Sequence, residues 1–582
     1  MPLALVVALA SFGFHPHISS NRLLLSAFEG TSAVLLIWLT VLAIRSRGRA
    51  LTTEIVLRPE HYMQTVAQFA IYVYWSFYWD PIRAAAILLA GQIVFAYAFD
   101  MLLTWSRRDT HLLTFGPFPI IFSINLFLRF RDDLFALQFV MVAIGFLAKE
   151  FIRWNKDGRR VHIFNPSSFP LAVVSTVLLL TNTTHLTWGE DIATQLFRPP
   201  HIYLFLFLVS LPGQYRFGVT TMSLSAILTT YGFGLAYFAA TGTYFFVDTY
   251  VPVAVFLGML LLFVDPATAP KTELGRIIFG TIYGATTVGL YAFLQSHGLP
   301  TFYDKLLQVP FLNLSVRALD RLARSPRMAW LDPSRLAAAA VPQRRRLAYT
   351  SMWIVVFTAM SFAQGVGDHH PGHRLPFWQR ACEQNLHNGC RTLASIESTL
   401  CSRGSGWACN EQGLMLFKQR PESPANAAAA FQKACTEGFA TGCQNALSTR
   451  FTGQAPQSGS PRAADFAIVL REGKGELPER TPFQLFTRAC NEGWMSGCAQ
   501  LADAYRRGDG TARNHERAVQ EYGKACEGGF AVACSDIGLM YKIGDGVGRD
   551  DAKALGYLKR ACDLGMAQAC RWLKEQTQPA AN

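Results

Sequence analysis

The sequence predicts an all-α protein in which a polytopic helical membrane domain is followed by an α-solenoid of disulfide-bridged helix-turn-helix repeats. Three observations predict this fold class. Residues 1–365 consist largely of apolar runs of about 16 to 25 residues, the length that an α-helix needs to cross a bilayer. All 12 cysteines lie after residue 381, in six pairs whose members are eight positions apart. The last three pairs recur every 36 residues, a period typical of helical repeat proteins.

The composition averages these two regions. Of the 582 residues, 51% are hydrophobic and only 16% are charged, which is too apolar for an ordinary soluble protein. The net charge of +13 could indicate nucleic-acid binding, but the arginines cluster beside apolar runs, where they fix membrane orientation. We therefore expect no nucleic-acid partner. The opening MPLALVVALASF lacks a basic start and is interpreted as a frayed first helix rather than as a secretory signal.

Eleven apolar segments are candidate membrane spans. They are residues 26–44, 62–79, 83–105, 112–130, 134–152, 167–184, 201–217, 219–246, 250–265, 276–296 and 349–365. Gly116, Pro117 and Pro119 interrupt the fourth segment, and Pro212-Gly213 interrupts the seventh. Interrupted helices are tolerated at membrane depth where the freed backbone groups line a cavity or another protein segment, which is also where transporters bind their solutes.

The basic loops predict the orientation of the chain. The basic segment before the last span is expected in the cytoplasm, so that the last span leads outward to the repeats. The same rule places the arginines after the first, third and fifth spans inside. With eleven full crossings, these arginines and the basic segment before the last span cannot all lie on the cytoplasmic side, because the count differs by one crossing. We expect one segment to be re-entrant, and 201–217 is the candidate because of its Pro-Gly break. The alternative is that the rule fails for the first loops.

The predicted domains follow from this reading. They are a membrane domain (1–300), a basic cytoplasmic loop (301–348), a final transmembrane helix (349–365), a linker (366–380) and the repeat solenoid (381–577).

Polar residues within or beside the spans are candidates for an ion or solute path. Asp100, Asn125 and Asp265 are of this kind, because a polar group in a bilayer is costly unless it is paired or solvated. The alternative for Asp100 and Asp265 is a capping role at helix ends. Lys149 and Glu150 are interpreted as an interfacial pair whose side chains reach toward the headgroups.

Two loop motifs begin helices in the membrane half. In RRVHIFNPSSFP, Asn165 opens a turn-and-cap signature whose backbone N–H groups are able to meet an anion. In DPATAPKTELGRIIFG, Arg276 is available for a phosphate. By themselves, both motifs are helix starts.

These two motifs resemble the paired signatures of the RnfD and NqrB family of integral membrane subunits, and the first is similar to its UnbU-like branch. The resemblance covers roughly residues 60 to 300. It implies two five-helix halves of inverted topology plus one extra span, and a subunit of ion-pumping electron-transfer complexes. It also implies a flavin, FMN or riboflavin, with the family's FMN esterified to a threonine of a Ser-Gly-Ala-Thr setting. Thr194 in TWGEDIATQLF matches that threonine, with Asn165 and Arg276 as further cofactor-binding candidates, although Asp191-Ile192 replaces Ser-Gly.

The second half repeats a helix, a Gly-Asp-Gly turn and a second helix. The second helix ends on a cysteine, and a short turn brings the next helix back so that its cysteine follows eight residues later. Such a reversal can place the two Cα atoms within the roughly 4.4–6.8 Å that a disulfide requires. The predicted bridges join Cys382 to Cys390, Cys401 to Cys409, Cys435 to Cys443, Cys490 to Cys498, Cys526 to Cys534 and Cys562 to Cys570. Zinc binding and redox catalysis are disfavoured because C-x-x-C spacing is absent.

These repeats resemble the Sel-one-like class, which is related to tetratricopeptide repeats, and in particular its disulfide-rich bacterial members. The resemblance covers about residues 374 to 577, with FTGQAPQSGSPRAADF as a loop insertion or a worn repeat. It implies that the solenoid binds a periplasmic or membrane protein on its concave face.

Because disulfides persist in oxidising compartments, we expect the repeats in the bacterial periplasm and the first half in the inner membrane. In the connecting stretch, His369, His370 and His373 could hold a metal, but a solvated linker is favoured and no metal is predicted. The predicted function is an integral membrane component of a redox-driven or ion-coupled transport system with a periplasmic protein-binding domain. It is not expected to be catalytic on its own, because no heme, iron–sulfur or nucleotide signature is present. Two alternatives stay open: a small-molecule transporter or channel, and a membrane-anchored scaffold.

Overall fold

A computed structural model describes most of the chain. The described residues are 1–47, 49–156, 158–247, 249–336, 342–363, 366–367, 370–419, 425–447, 456–459, 461–462, 464–465 and 481–577. They divide into two compact units: residues 1–240 with 244–373 form unit 1, and residues 241–243 with 374–582 form unit 2.

Unit 1 is built from helices, most of them rich in apolar residues. Its α-helices are Pro2–Ser11, Pro16–Ser19, Arg22–Arg45, Pro59–Ser76, Asp80–Ala84, Ala86–Arg108, Pro117–Phe127, Phe135–Phe151, Ser168–Thr181, Gly189–Gln195, Ile202–Phe217, Thr220–Thr241, Val253–Leu257, Glu273–Ser296, Val309–Ala323, Pro333–Leu336 and Pro342–Phe362. Short strands Thr52–Val56 and Thr110–Thr114 pair in parallel, and Arg153–Lys156 pairs antiparallel with Arg159–His162.

Five helices of the described chain are long and apolar enough to cross a membrane. They are Arg22–Arg45, Asp80–Arg108, Asp132–Phe151, Thr220–Thr241 and Glu273–Ser296. Four further apolar helices are shorter, namely Pro2–Phe14, Pro117–Phe127, Ser168–Thr181 and Val253–Leu262.

Two of the predicted spans differ clearly from the structure. The segment 112–130 consists of the end of a strand followed by an 11-residue helix, Pro117–Phe127, because Gly116 and the two prolines prevent a helix from starting earlier. The segment 250–265 contains a five-residue α-helix, Val253–Leu257, which continues as a π-helical turn, Gly258–Leu262. We call Pro117–Phe127 and Val253–Leu262 the first and second short helices.

The ends of the long helices of unit 1 meet in two regions, which we call the arginine end and the far end. At the arginine end, Arg108 and Arg153 both bind Glu150, while Arg276 and Arg346 donate to the backbone oxygens of Gly218 and Arg216, respectively.

The far end is marked by a different set of contacts. Asn21 Nδ2 donates to Asp133 Oδ1 at 2.9 Å, and Trp75 Nε1 donates to the Gln195 oxygen at 3.0 Å.

Ten helices form two groups of five whose directions are opposite. The first group begins with Arg22–Arg45, which runs from the far end to the arginine end, and the second begins with Ser168–Thr181, which runs the other way. The first group continues with Pro59–Ser76, Ala86–Arg108, Pro117–Phe127 and Phe135–Phe151. The second group continues with Ile202–Phe217, Thr220–Thr241, Val253–Leu262 and Glu273–Ser296. The two short helices therefore occupy the fourth position of each group.

The prediction that 201–217 is re-entrant is wrong. Ile202–Phe217 is one continuous helix with Pro212 inside it. Its far-end residue Tyr203 donates to the Val251 oxygen, and Gly218, just after its other end, accepts from Arg276 at the arginine end. Pro212 removes only one backbone hydrogen bond, which is too little to interrupt a helix that is packed over its length.

The sequence analysis also missed the helix Val309–Ala323, which runs toward the arginine end and which we call the return helix. It is preceded by Gln308, whose Nε2 donates to Thr287 midway along Glu273–Ser296, and it ends near the arginine end, where Asp320 accepts from the backbone N–H groups of Lys271 and Thr272. The predicted basic loop 301–348 therefore contains a packed helix. Lys305, at the start of that predicted loop, is almost fully buried and pairs with Asp304 at 3.0 Å.

Unit 2 is a series of antiparallel helix pairs. Its described helices are Leu375–Glu383, Gly389–Ser402, Gly406–Gln419, Ala425–Thr436, Ala440–Leu447, Pro482–Asn491, Met495–Arg507, His515–Glu527, Ala531–Ile543, Asp551–Asp563 and Ala567–Thr577. The 36-residue period recurs in the backbone, because Gly508 and Gly544 both end a helix with positive φ, at 84° and 76°. Asn514 and Asp550 cap the helices that follow, each accepting from a backbone N–H three residues on.

The six predicted disulfides are all present in the structure, and their Cα–Cα distances lie between 4.3 and 4.7 Å. Each bridge closes one helix-turn-helix reversal, as the eight-residue spacing predicts, and all 12 cysteines are consumed in this way. The bridges join Cys382 to Cys390, Cys401 to Cys409, Cys435 to Cys443, Cys490 to Cys498, Cys526 to Cys534 and Cys562 to Cys570.

Part of the suggested insertion, FTGQAPQSGSPRAADF, lies outside the described residues. Its described part packs against unit 2: the fully buried Asp465 accepts from the backbone N–H of Trp407 at 3.2 Å, and the Gln457 N–H donates to Asn445 at 2.8 Å.

Candidate functional site

A cavity of about 680 Å³ opens within unit 1 at the arginine end. It is bordered by the start of the first short helix, through Gly116, Pro119 and Ile120, and by the end of the second, through Leu260 and Leu261. Short helices in corresponding positions of two oppositely directed halves are a feature of solute sites in transporters. The cavity is therefore the candidate functional site of the described chain.

Asn165 lines this cavity and joins two elements. Its Oδ1 accepts from the backbone N–H groups of Ser167 and Ser168 at 2.9 and 3.1 Å, while its Nδ2 donates to the Leu262 oxygen at 3.1 Å. The expectation that these N–H groups are open to an anion is wrong, because the side chain of Asn165 already occupies them. Asn165 fixes the start of Ser168–Thr181 against the end of the second short helix.

Asp265 also lines the cavity, at the end of the second short helix. Its Oδ2 lies 3.6 Å from Nε2 of His162 and 3.2 Å from Oγ1 of Thr268, and its Oδ1 accepts from the Ala267 N–H at 3.0 Å. Asp265 therefore closes a turn beside the candidate site instead of capping a helix, since the next helix begins at Glu273 and is capped by Thr272.

Asp100 lies behind the cavity wall. It is nearly fully buried, and its Oδ2 lies 3.5 Å from Nζ of Lys149, which does line the cavity. The neighbouring Glu150 accepts from Arg108 at 2.7 Å and from Arg153 at 2.5 Å. Lys149 and Glu150, expected to form an interfacial pair, thus each have a partner on another element.

Several lining residues were not predicted from the sequence. Gln214 is only 2% exposed, and its Oε1 has no hydrogen-bond partner among the described residues. Nδ1 of His61, another lining residue, also has no hydrogen-bond partner among the described residues. Arg58 and Arg160 line the cavity as well and were not predicted as site residues. The available signal for Gln214 was its position directly after Pro212-Gly213 in an apolar run.

The other predicted site residues do not line the cavity. Asn125 belongs to a buried amide network with Gln92 and Gln138, at distances of 2.8 to 3.4 Å. Arg276 is held by the backbone oxygens of Pro270 and Gly218 at 3.0 and 2.7 Å.

Thr194 lies at the far end and is exposed on the short helix Gly189–Gln195, where its hydroxyl donates to backbone oxygens within that helix. A phosphoryl group on this hydroxyl would lie about one helical turn from the carboxylates of Glu190 and Asp191. These surroundings do not fit a flavin phosphate.

The histidines of the connecting stretch are not grouped as metal ligands in the part that the structure describes. His370 is buried against Tyr244 and Tyr250, with its ring 4.3 and 5.0 Å from theirs, and burial lowers its pKa to about 4. His369 lies outside the described residues. The described chain contains one compact group of metal-ligand types, Cys490, Cys498 and Glu521, but both sulfurs are consumed in a disulfide.

The comparisons with known proteins concern the second half of the chain. The profile of the Sel1 repeat family matches residues 496–530 and 531–566. This stretch therefore consists of Sel1 repeats. No curated protein matches the chain.

Solved structures with similarity to this chain include the following three. Cysteine-rich protein B of Helicobacter pylori is 27% identical over 19% of this chain and 80% of its own, with a TM-score of 0.17. A Sel1 repeat protein of Oxalobacter formigenes is 22% identical over 30% of this chain and 80% of its own, with a TM-score of 0.19. A protective antigen with an SLR fold from uropathogenic Escherichia coli is 15% identical over 56% of this chain and 88% of its own, with a TM-score of 0.22.

Proposed function

We propose that this chain is a multi-pass component of an ion-coupled or redox-driven transport system in the bacterial inner membrane. The cavity takes the transported solute, and the repeats recruit a protein partner in the periplasm. The observation that carries the proposal is the pair of short helices in corresponding positions of two oppositely directed groups, which together border one cavity.

Exposed apolar side chains support a bilayer around unit 1. Val34 and Ile37 are both 65% exposed on Arg22–Arg45, and Val66 and Leu180 are exposed on other helices. So much apolar surface on long helices is costly in water and is satisfied by lipid.

The arginine distribution supports the orientation. In the first group, every helix that ends at the arginine end carries arginines at or just after its last turn. With the return helix counted as one more change of direction, the last helix, Pro342–Phe362, begins at that same end. An arginine end in the cytoplasm directs Phe362 and the following chain outward. The disulfides of unit 2 favour the same compartment, because they persist in the periplasm.

The resemblance to RnfD and NqrB is compatible with two oppositely directed groups of five helices, and it motivates the redox form of the proposal. The surroundings of Thr194 favour the form without covalent flavin. Ionisable pairs beside the cavity, Asp265 with His162 and Asp100 with Lys149, favour ion coupling, because such pairs in membrane proteins mark ion and proton pathways.

Topology is tested in intact spheroplasts. A membrane-impermeant phosphine reduces the disulfides, and an impermeant maleimide then labels the thiols. We expect labelling of the 12 cysteines from outside, whereas labelling only after lysis would contradict the periplasmic location.

Absorbance of the purified protein separates the two forms of the proposal, because a stoichiometric flavin spectrum would establish the redox form.

A further inference from the structure

We propose that the cavity binds a small organic acid that carries a carboxylate, a hydrogen-bond donor and an apolar body. This inference rests on the proposed function and names the class of its solute. Five cationic side chains line the cavity against three carboxylates. The cations are Arg58, Arg108, Lys149, Arg153 and Arg160, and the carboxylates are Glu54, Glu60 and Asp265.

The charge of the wall is positive because some balancing carboxylates lie behind it. Arg108 and Arg153 share one carboxylate oxygen of Glu150, so this group of three keeps one positive charge. Glu150 is not a lining residue, and Asp100, which pairs with Lys149, is not one either. A ligand in the cavity therefore contacts the cations first, and a charge-assisted hydrogen bond to a carboxylate is the strong interaction that they offer.

The lining carboxylate beside the second short helix already has hydrogen-bond donors. Asp265, the carboxylate at the inner wall, already accepts from the Ala267 N–H and the Thr268 hydroxyl and lies near His162. These donors already stabilise the negative charge of Asp265, so it attracts a cationic ligand less strongly than an unpartnered carboxylate would.

The hydrogen-bond donor is inferred from Gln214. This side chain is 2% exposed, its Oε1 lacks a partner in the described structure, and its Nε2 is directed at Ser210 Oγ at 3.5 Å. A buried acceptor without a partner is costly. Because Oε1 itself has almost no accessible surface, a hydroxyl or amide N–H of the ligand satisfies it once the Gln214 amide turns toward the cavity.

The rest of the wall determines the body of the ligand. Ile120, Val209, Leu260 and Leu261 line the cavity and offer apolar contact. A volume of about 680 Å³ is within the range of small-molecule sites. Together these features define an amido or hydroxy acid with an apolar group.

Dansylglycine tests the inference, since it combines a carboxylate, a sulfonamide N–H and an apolar fluorescent ring system. The purified full-length chain in detergent is titrated with dansylglycine and with the neutral dansylglycinamide. We expect saturable binding of the acid with enhanced fluorescence, and at least about tenfold weaker binding of the amide, which lacks the charge. Equal binding of both probes, or no saturable binding of the acid, would overturn the inference.

Variants locate the binding to the cavity. Arg58→Gln with Arg160→Gln removes two lining cations, and we expect dansylglycine binding to weaken about tenfold while dansylglycinamide binding stays constant. Gln214→Leu should weaken both probes severalfold. Arg83→Gln is the matched control, because Arg83 is an exposed far-end cation paired with Asp80. An effect of the control as large as that of the cavity variants would overturn the assignment.

Competition separates a soluble acid from a lipid headgroup. N-acetylglycine is expected to displace the probe, whereas displacement by dihexanoyl phosphatidate without displacement by N-acetylglycine would overturn the inference in favour of a lipid. Because these assays need only the purified chain, their failure beside a positive topology result would leave the proposed membrane function intact.

Discussion

Asp100 and Lys149 form an ion pair in which the stability effect of replacing one residue depends on the presence of the other. Both are largely shielded from solvent, and their charged atoms are 3.5 Å apart. Removing one member of such a pair leaves an uncompensated charge, whereas removing both leaves none.

We expect Lys149→Gln to lower the free energy of unfolding by about 3 kcal/mol, and Asp100→Asn together with Lys149→Gln to recover most of that loss. Thermal unfolding of the detergent-solubilised chain measures both. A double variant as unstable as the sum of the two single variants would show that the residues are not coupled.

Glu397 in unit 2 is a buried acid without a partner for its Oε2 in the described structure. Burial, with a smaller contribution from Glu411, raises its pKa from 4.5 to about 9. The folded state therefore holds a proton that the unfolded state releases. The contribution of Glu397 to stability is accordingly most favourable below pH 4.5 and is lost as the pH rises toward 9.

We accordingly expect unit 2 to become more sensitive to proteolysis between about pH 5 and pH 9, a window bounded roughly by the two pKa values. Glu397→Gln should weaken this trend and leave the smaller part that Glu411 contributes, because burial raises the pKa of Glu411 to about 7. The exposed Glu383→Gln should keep the full trend. Identical pH profiles for the wild type and Glu397→Gln would refute the argument.

At the scale of elements, two helices of unit 1 approach closely at a pair of glycines. An added Cβ at Gly280 would lie 2.1 Å from the Met222 oxygen, and one at Gly284 would lie 2.5 Å from the Ala226 oxygen. The two glycines, four residues apart, form the small-residue motif that lets membrane helices pack backbone to backbone.

Gly280→Ala is expected to lower the melting temperature of the solubilised chain strongly, with a loss of about 2–3 kcal/mol, because the two helices must separate. Gly289→Ala on the same helix is the matched control, since an added Cβ there meets nothing within 4 Å. It should be neutral or stabilising by up to about 1 kcal/mol. Equal effects of the two changes would contradict the packing.

The disulfides act within single helix pairs. Replacing Cys526 and Cys534 together by alanine should cost about 2.5 kcal/mol, from the entropy of the short loop that the bridge closes. Because all six pairs have the same separation, the other five double replacements should cost similar amounts in denaturant titrations. A much larger loss at one pair would indicate that its bridge also holds a contact beyond its own loop.

Sequence reasoning succeeded where a pattern is periodic and local. The six bridges follow from a fixed spacing around a short turn, and the Sel1 repeats from a 36-residue period. It missed the return helix because Arg317, Arg321 and Arg324 lower the hydropathy of that segment. The buried stripe of Leu312, Val316 and Leu319 was nevertheless visible as a helical period.

The cavity was only partly predictable for a related reason. Asn165 and Asp265 belong to recognisable turn motifs, whereas His61 lies inside a helix with no local signature and Gln214 is marked only by the Pro-Gly pair before it. What brings them to one place is the packing of helices from both groups, and that arrangement cannot be read from spacing along the chain.

At the scale of the whole molecule, the direction of the helices makes a prediction about the two ends of unit 1. A cysteine introduced by Arg47→Cys at the arginine end should be protected from an impermeant maleimide in intact spheroplasts, and one introduced by Ser20→Cys at the far end should react. The native cysteines are all bridged and do not interfere while oxidised. The opposite labelling pattern would reverse the proposed orientation.

The spacing of the bridges also bears on biogenesis. The second cysteine of each pair follows the first by only eight residues, so in the proposed export to the periplasm each first thiol meets its correct partner before any other sulfur has arrived. Oxidation can then proceed hairpin by hairpin during export. Maturation of this tail should accordingly require an oxidant but not a disulfide isomerase.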